Sequence, residues 1–257
     1  MKNKKGFDTT GKSDLEGKQN EDNTIEILND KKVYSDTVEK RGGTKLKEDA
    51  VSDLQKIGIK RMESIHSGSH DWGNISSAVN EGLFGDTFDE FLSQVKELRQ
   101  LPFDIRIDEE FKMKVAEKFD SLCPASFNHF NSENIIKVLN RGLIEPCGEN
   151  FDNVVNDIKT KNLYIYPVNR HPVFEYVNKG FTAYLKGDAP KSRMIFFKDS
   201  EGNEYSTDIR IRVCNNNGIS AFLGTNKKNR NSQVCIKLQQ DRVGALLRLV
   251  NPMVVSY

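Results

Sequence analysis

The stretch Ser192–Cys214 reads SRMIFFKDSEGNEYSTDIRIRVC, and its periodicity decides the fold class. From Asp208 to Val213 the residues alternate, with Ile209, Ile211 and Val213 on one side and Arg210 and Arg212 on the other. That is the period of a strand with one wet face and one buried face. Arg193 to Lys198 supplies an apolar partner through Met194, Ile195, Phe196 and Phe197, and Asp199, Ser200, Glu201, Gly202 and Asn203 between the arms are turn residues. The expectation is a β-hairpin with an apolar core face and a basic outer face.

Toward the C-terminus the pattern predicts a turn at Asn215–Gly218, a strand at Ile219–Leu223, a polar loop at Gly224–Ser232 and a strand at Gln233–Leu238. Val243, Leu246, Leu247 and Val250 then recur at helical spacing until Asn251 and Pro252, and Met253–Tyr257 is apolar enough to dock. On the other side of the hairpin, Leu163–Val168 predicts a strand that Pro167 assigns to a sheet edge. His171–Gly187 supports two readings. As a helix it has Pro172 in the first turn; as a hairpin it has Asn178, Lys179 and Gly180 as a three-residue turn. Aromatic content and Gly180 favour the hairpin.

Before Lys161 the period is helical. Thr87 with Glu90 forms a capping box ahead of a helix ending at Leu101, before Pro102. Asp108 caps a second helix with Glu109 and Glu110 in its first turn, and Phe111, Val115, Phe119 and Leu122 inward. Ser132–Gly142 is a third, and Glu149–Ile158 a fourth on the spacing of Phe151, Val154, Val155 and Ile158. A further helix is expected from Glu48 to His66, weakened by Gly58. Residues 1–45 are so poor in apolar side chains that they predict a disordered polar arm. Within it, Thr24–Lys40 carries enough Ile, Leu, Val and Tyr to order on a partner.

The sum is an α+β chain: a polar arm over 1–45, an acidic helical region over 46–160, and a basic β-rich region over 161–257 packed with the helices. The composition, with 37% hydrophobic residues and mean hydropathy −0.60, agrees with a part of the chain staying outside any core. The formal net charge of +1 hides an asymmetry: residues 161–257 hold 15 Lys+Arg against 7 Asp+Glu, whereas residues 51–122 hold 9 against 14. Such a split points to an anionic partner for the basic region or to pairing between copies as a homo-oligomer.

Catalytic signatures are missing. No phosphate loop, dinucleotide fingerprint or nucleophile elbow occurs, so no cofactor is expected. His66 and His70 flank Ser67, Gly68 and Ser69, which break a helix, and the four cysteines (Cys123, Cys147, Cys214, Cys235) lack paired short spacing, so no metal site is expected. Cys214 and Cys235 read as free thiols in strands. The sequence has no apolar run long enough for a transmembrane segment and no secretory leader, which predicts a cytoplasmic or nuclear protein.

The remaining signal is the basic outer face. Arg210 and Arg212 on the strand, with Lys227, Lys228 and Arg230 in the Thr225–Ser232 loop, have the charges that phosphates need, and the aromatic residues of 164–184 and Tyr205 supply rings for stacking. RNA or single-stranded DNA, or another anionic surface, is the expected partner of a non-enzymatic protein. A self-assembling scaffold without nucleic acid is the alternative, and a host-directed effector enzyme with Cys123 or an unidentified residue as nucleophile a second one; Cys123 with Asp120 and His129 has the residue types of a thiol nucleophile and its base, but their local spacing is no signature of a triad. In composition the chain resembles viral structural and accessory proteins, with no family motif behind that resemblance.

Overall fold

The computed structural model describes residues 12–41, 46, 48–62, 69–74, 93, 96–127, 130–143, 150–189, 192–215, 219–220, 223–225 and 234–257. They are mixed α+β. The helices are α1 (Lys12–Asp30), α2 (Phe103–Ile107), α3 (Glu109–Phe127), α4 (Ser132–Leu143), α5 (Val173–Asn178) and α6 (Val243–Val250). The strands are β1 (Glu39–Lys40), β2 (Ala50–Val51), β3 (Lys56–Arg61), β4 (Ser69–Asn74), β5 (Phe151–Asp157), β6 (Asn162–Pro167), β7 (Thr182–Lys186), β8 (Ser192–Lys198), β9 (Glu204–Asn215), β10 (Val234–Asp241) and β11 (Met253–Ser256). They divide between two compact units. Residues 1–68, 146–171 and 243–257 make the first, and residues 69–145 and 172–242 the second.

The first unit is built on a six-stranded sheet in the order β1-β2-β3-β5-β6-β11. Only β3 and β5 run parallel, and the long excursion between them is what a parallel pair requires. The expected helices over 48–66 and 149–158 are corrected: the first holds β2 and β3 and the second β5, residues 63–66 and 149 lying outside the described ones. Ile57 and Ile59 are buried with Gly58 between them, because the glycine lets β5 approach. A Cβ at Gly58 would lie 2.8 Å from Asn153 Oδ1 and 2.9 Å from the Phe151 ring. β5 lies in the middle of the sheet and is buried on both faces, so its apolar residues do not alternate and imitate helical spacing. β6 is likewise interior rather than an edge, since Pro167 is its last residue and β11 pairs along its other side.

Helix α1 occupies much of the stretch expected to be a disordered arm, whose residues 1–11 lie outside the described ones. Its inward residues are Asn20, Thr24 and Leu28, an i, i+4, i+8 row that is mostly polar. Leu28 joins Val38, Ala50, Ile57, Ile59, Val154, Leu163 and Ile165 in the core. Thr24 is satisfied by donating to Asn20 O at 2.7 Å and accepting from Asn156 Nδ2 at 3.0 Å, while Asn156 Oδ1 accepts from the Tyr257 hydroxyl at 2.6 Å. Tyr34 donates to Asp152 Oδ2 at 2.9 Å. Burial raises the Asp152 pKa, against the lowering effect of its hydrogen bonds from Tyr34 and Gln55 and of the Arg170 charge. Thr24–Lys40 thus orders on the chain's own sheet.

The second unit holds a five-stranded antiparallel sheet in the order β4-β10-β9-β8-β7. Helix α4 packs on it through contacts with β7, β4 and β10, burying Ile135, Val138, Leu139 and Leu143. Its start is capped by Asn131, whose Oδ1 accepts from Asn134 N at 2.9 Å, while the adjacent Ser132 Oγ accepts from Ala183 N on edge strand β7 at 2.9 Å. Helix α3 begins as the sequence predicts, with Asp108 Oδ1 accepting from Phe111 N at 2.8 Å. Of the capping-box helix before Pro102, Thr87 and Glu90 lie outside the described residues.

Over 171–187 the chain is a helix followed by a strand, and the favoured hairpin is corrected. Gly180 (φ +72°) ends α5: Gly180 N donates to Val177 O at 3.0 Å, Phe181 N donates to Tyr176 O at 3.1 Å, and the Tyr176 and Phe181 rings stack at 5.9 Å. This is the left-handed helix stop with its accompanying apolar contact, and the same Asn-Lys-Gly sequence would have served a turn. Of the strand expected at Ile219–Leu223, Ile219 and Ser220 are helical instead, with Leu223 N donating to Ile219 O at 2.8 Å; residues 221–222 lie outside the described ones. Arg106 fixes that turn by donating from Nη1 to Leu223 O at 2.8 Å and from Nε to Leu101 O at 2.9 Å.

Candidate nucleic-acid interface

The Ser192–Cys214 stretch forms the expected hairpin, β8 paired with β9, and its turn is tied by one carboxylate. Asp199 accepts from Glu201 N at 3.0 Å, from Asn203 N at 2.9 Å and from the Tyr205 hydroxyl at 2.9 Å. Hydrogen bonding, first of all from the Asn203 side chain, lowers the Asp199 pKa. Gly202 turns the corner at φ +93°.

Alternation then sorts the sheet. Ala183, Ile195, Phe197, Ile209, Ile211, Ile236 and Leu238 are buried on the α4 side, where each large side chain contributes about 1.5–3 kcal/mol relative to exposure. β9 carries an irregularity: Phe196 pairs with Ser206 but Met194 with Arg210, and the extra residues include Asp208 at φ +54°. Thr207 holds this bulge by donating from Oγ1 to Ile195 O at 2.8 Å and accepting from Ile209 N at 3.0 Å. The bulge moves the arginines two positions along β8 while keeping them on the outer face.

On that outer face the cross-strand partners form rows. Tyr184 lies beside Phe196, their rings 5.9 Å apart. The next row is Lys186, Met194, Arg210 and Gln239, followed by Ser192, Arg212 and Lys237. Lys186 Nζ stands 5.1 Å from the Phe196 ring centre and 2.7 Å from Glu204 Oε2. Desolvation and the neighbouring Glu204 carboxylate push Tyr184 up to about 12. Tyr184, Met194, Phe196, Arg210, Arg212, Lys237 and Gln239 are all half-buried.

The two predicted strand arginines are therefore neighbours on one face, but their charges are not equally available. Arg210 Nη2 is 2.5 Å from Asp241 Oδ2, and its buried Nε has no hydrogen-bond partner. Arg212 donates from Nη1 to the neutral Gln239 Oε1 at 3.0 Å. Lys227, Lys228 and Arg230 lie outside the described residues. Tyr184, one of the aromatic residues of 164–184 expected to stack, completes the face with Lys186, Phe196 and Lys237, none of which the sequence assigns to it; Tyr205 pairs with Phe197 and stacks on Tyr176 and Phe181, away from this face. Lys237 was legible in principle, between Ile236 and Leu238 at strand spacing; the membership of Tyr184 and Phe196 depended on pairing.

Charge is balanced over the second unit as a whole, with 20 Lys+Arg against 21 Asp+Glu. The acidic and basic stretches of the sequence meet in one body, so the local face matters and not the regional total. Among the described residues, no group of three or more His, Cys, Asp or Glu could hold a metal ion, and no helix is long and apolar enough to cross a membrane. His70 falls in β4 and His66 outside the described residues. Cys123 and Asp120 fall in α3, and His129 outside the described residues. In the first unit, an open groove of about 650 Å³ is lined by Glu39, Arg41, Asp53, Leu54 and Lys56 among others, a mixture of both charges with no convergent set. No protein-family model, no curated protein and no solved structure matches the chain.

Proposed function

We propose that the second unit binds single-stranded nucleic acid, RNA or DNA, on the outer face of its five-stranded sheet. The observation that carries this reading is the register itself: it sets the Tyr184 and Phe196 rings in one row and Lys186, Arg210, Arg212 and Lys237 in the rows beside it. Rings on a sheet face stack on bases without regard to sequence, and neighbouring cations neutralise the phosphates that follow. Arg212 is the main phosphate contact in this reading, because a neutral glutamine holds it. Arg210 must trade Asp241 for a phosphate, an exchange of one anion for another that adds little affinity. Lys227, Lys228 and Arg230, expected from the sequence to meet phosphates, belong to this proposal by their charge and sequence position alone.

The test is fluorescence anisotropy of a labelled single-stranded RNA titrated with the protein at two salt concentrations. Arg212→Ala is expected to weaken binding and to make the salt slope shallower by about 0.7, one counterion on a single strand. Phe196→Ala is expected to weaken binding by about 5- to 100-fold, one stacked base, with the slope unchanged. A wild-type protein that binds neither RNA nor DNA at low salt, or binding indifferent to both substitutions, refutes the proposal.

A further inference from the structure

We propose that β11 is a self-association edge, through which two copies of the chain pair their β11 strands antiparallel about a two-fold axis at Val255. This rests on the first unit alone and is independent of nucleic-acid binding.

β11 ends the six-stranded sheet, and β6 is its partner there. Tyr257 N donates to Lys161 O at 2.9 Å, with Val255 opposite Leu163 and Met253 opposite Ile165. In an antiparallel ladder this turns the N–H and C=O groups of residues 253, 255 and 257 toward β6 and those of Val254 and Ser256 toward the free side. The strand, Met-Val-Val-Ser, has no charge, no proline and no lysine, the devices by which edges avoid pairing. The opposite edge has them: β1 is Glu39–Lys40, and Lys40 is held by Asp22 at 2.5 Å and Glu21 at 3.7 Å. One charged edge and one apolar edge disfavour head-to-tail growth of β1 on β11 and leave like-with-like pairing, which closes at two copies.

The register follows from the donors. With the axis at Val255, Val254 faces Ser256 of the second copy and each pair exchanges N–H and C=O in both directions. A register centred on Val254 would set Ser256 opposite Pro252, which has no N–H to give. The side chains agree with a covered edge: Val254 is 52% exposed, Met253 50% and Leu249, shortly before, 73%. So short a ladder covers well under the roughly 800 Å² per partner of a standard interface, so the dimer is weak and concentration-dependent. No charged side chain lies in the strand, which makes it insensitive to salt, unlike pairing of acidic with basic regions.

Sedimentation velocity on the nuclease-treated full chain, from about 1 to 200 µM, reads the equilibrium across the weak-affinity range. The wild type is expected to shift from monomer to dimer, equally at low and high salt. Val254→Lys puts a charge on the edge, and Ser256→Pro removes an outward N–H while leaving every backbone bond to β6, its lost Oγ contact being matched by Ser256→Ala; both are expected to stay monomeric with an unchanged circular dichroism spectrum. Ser256→Ala loses the Oγ hydrogen bond to Asn162 Oδ1 at 2.7 Å but keeps the N–H, and is expected to dimerise like the wild type. A wild type monomeric over the whole range, or a dimer that survives Ser256→Pro or dissociates in salt, overturns the proposal.

Discussion

Replacing Gly58 with alanine separates two readings of the same segment by the sign of the effect. If residues 48–66 formed a helix, Gly58→Ala would stabilise it by about 0.8–1 kcal/mol from propensity alone. In the β3–β5 pair the new Cβ meets Asn153 Oδ1 at 2.8 Å and the Phe151 ring at 2.9 and 3.1 Å, contacts closer than van der Waals separation. Neither neighbour has room to retreat, since Phe151 is 3% and Asn153 6% exposed. Overpacking of this kind costs about 1–3 kcal/mol, offset by about 0.4–1 kcal/mol because alanine narrows the unfolded ensemble. The ranges leave a net loss of up to about 2.6 kcal/mol, about 1.3 kcal/mol at their centres, which is a fall in Tm of roughly 3–5 °C for a chain of this size. Urea unfolding followed by circular dichroism measures it, with Phe151→Leu added to test the contact: trimming the ring should recover part of the loss, giving a coupling of about 0.5 kcal/mol or more. A Gly58→Ala protein as stable as the wild type, or more stable, would falsify the close approach of β5 and with it the sheet order of the first unit.

Two further outcomes follow from the second unit. The lowered Asp199 pKa means that its contribution to the β8–β9 turn is present above the unfolded carboxyl value near 3.9 and is lost as the pH falls through the lower folded value; protection of the Glu201 and Asn203 amides from exchange, relative to the unprotected rate at each pH, should therefore fall in acid, and Asp199→Ala should remove it at every pH, whereas pH-independent protection in the wild type refutes the role. The register sets Cys214 directly opposite Cys235, a Cα separation of about 4.5–5.5 Å that lies inside the disulfide range of about 4.4–6.8 Å; a diazene oxidant, which takes up the two electrons and two protons, should link that pair on peptide mass mapping, and links of either thiol to Cys123 or Cys147 instead would contradict the β9–β10 pairing.

How much was legible depended on whether burial followed hydrophobicity. It did in β9, where Ile209 and Ile211 are fully buried and Arg210 and Arg212 are not, and in α6, where Val243, Leu246 and Leu247 face inward. It failed in α1, because a row of Asn20, Thr24 and Leu28 enters the core once Asn156 satisfies Thr24, and no count of apolar residues finds such a face. It failed again in β5, where both faces are covered and the period disappears. The candidate site was half legible: Arg210 and Arg212 were named from alternation, while Tyr184, Phe196 and Lys186 joined them only through the ladders of β7, β8 and β9.

By itself, then, the sequence determined what one segment can settle alone. Alternation sorted β9 into a wet and a dry side, Asp199 and Gly202 supplied the turn, Asp108 opened α3, and Asn251 with Pro252 closed α6, since each of these depends on dihedral preferences or hydrogen bonds reaching a few residues along the chain. Tertiary structure decided the rest: that Gly180 ends a helix rather than turning a hairpin, that Gly58 admits a neighbouring strand, and that Pro167 ends an interior strand. The physical reason is that glycine and proline restrict the backbone without choosing its partner. The choice falls to whichever arrangement buries apolar surface and satisfies the polar groups that enter with it, and those partners lie as far apart in sequence as Thr24 and Asn156.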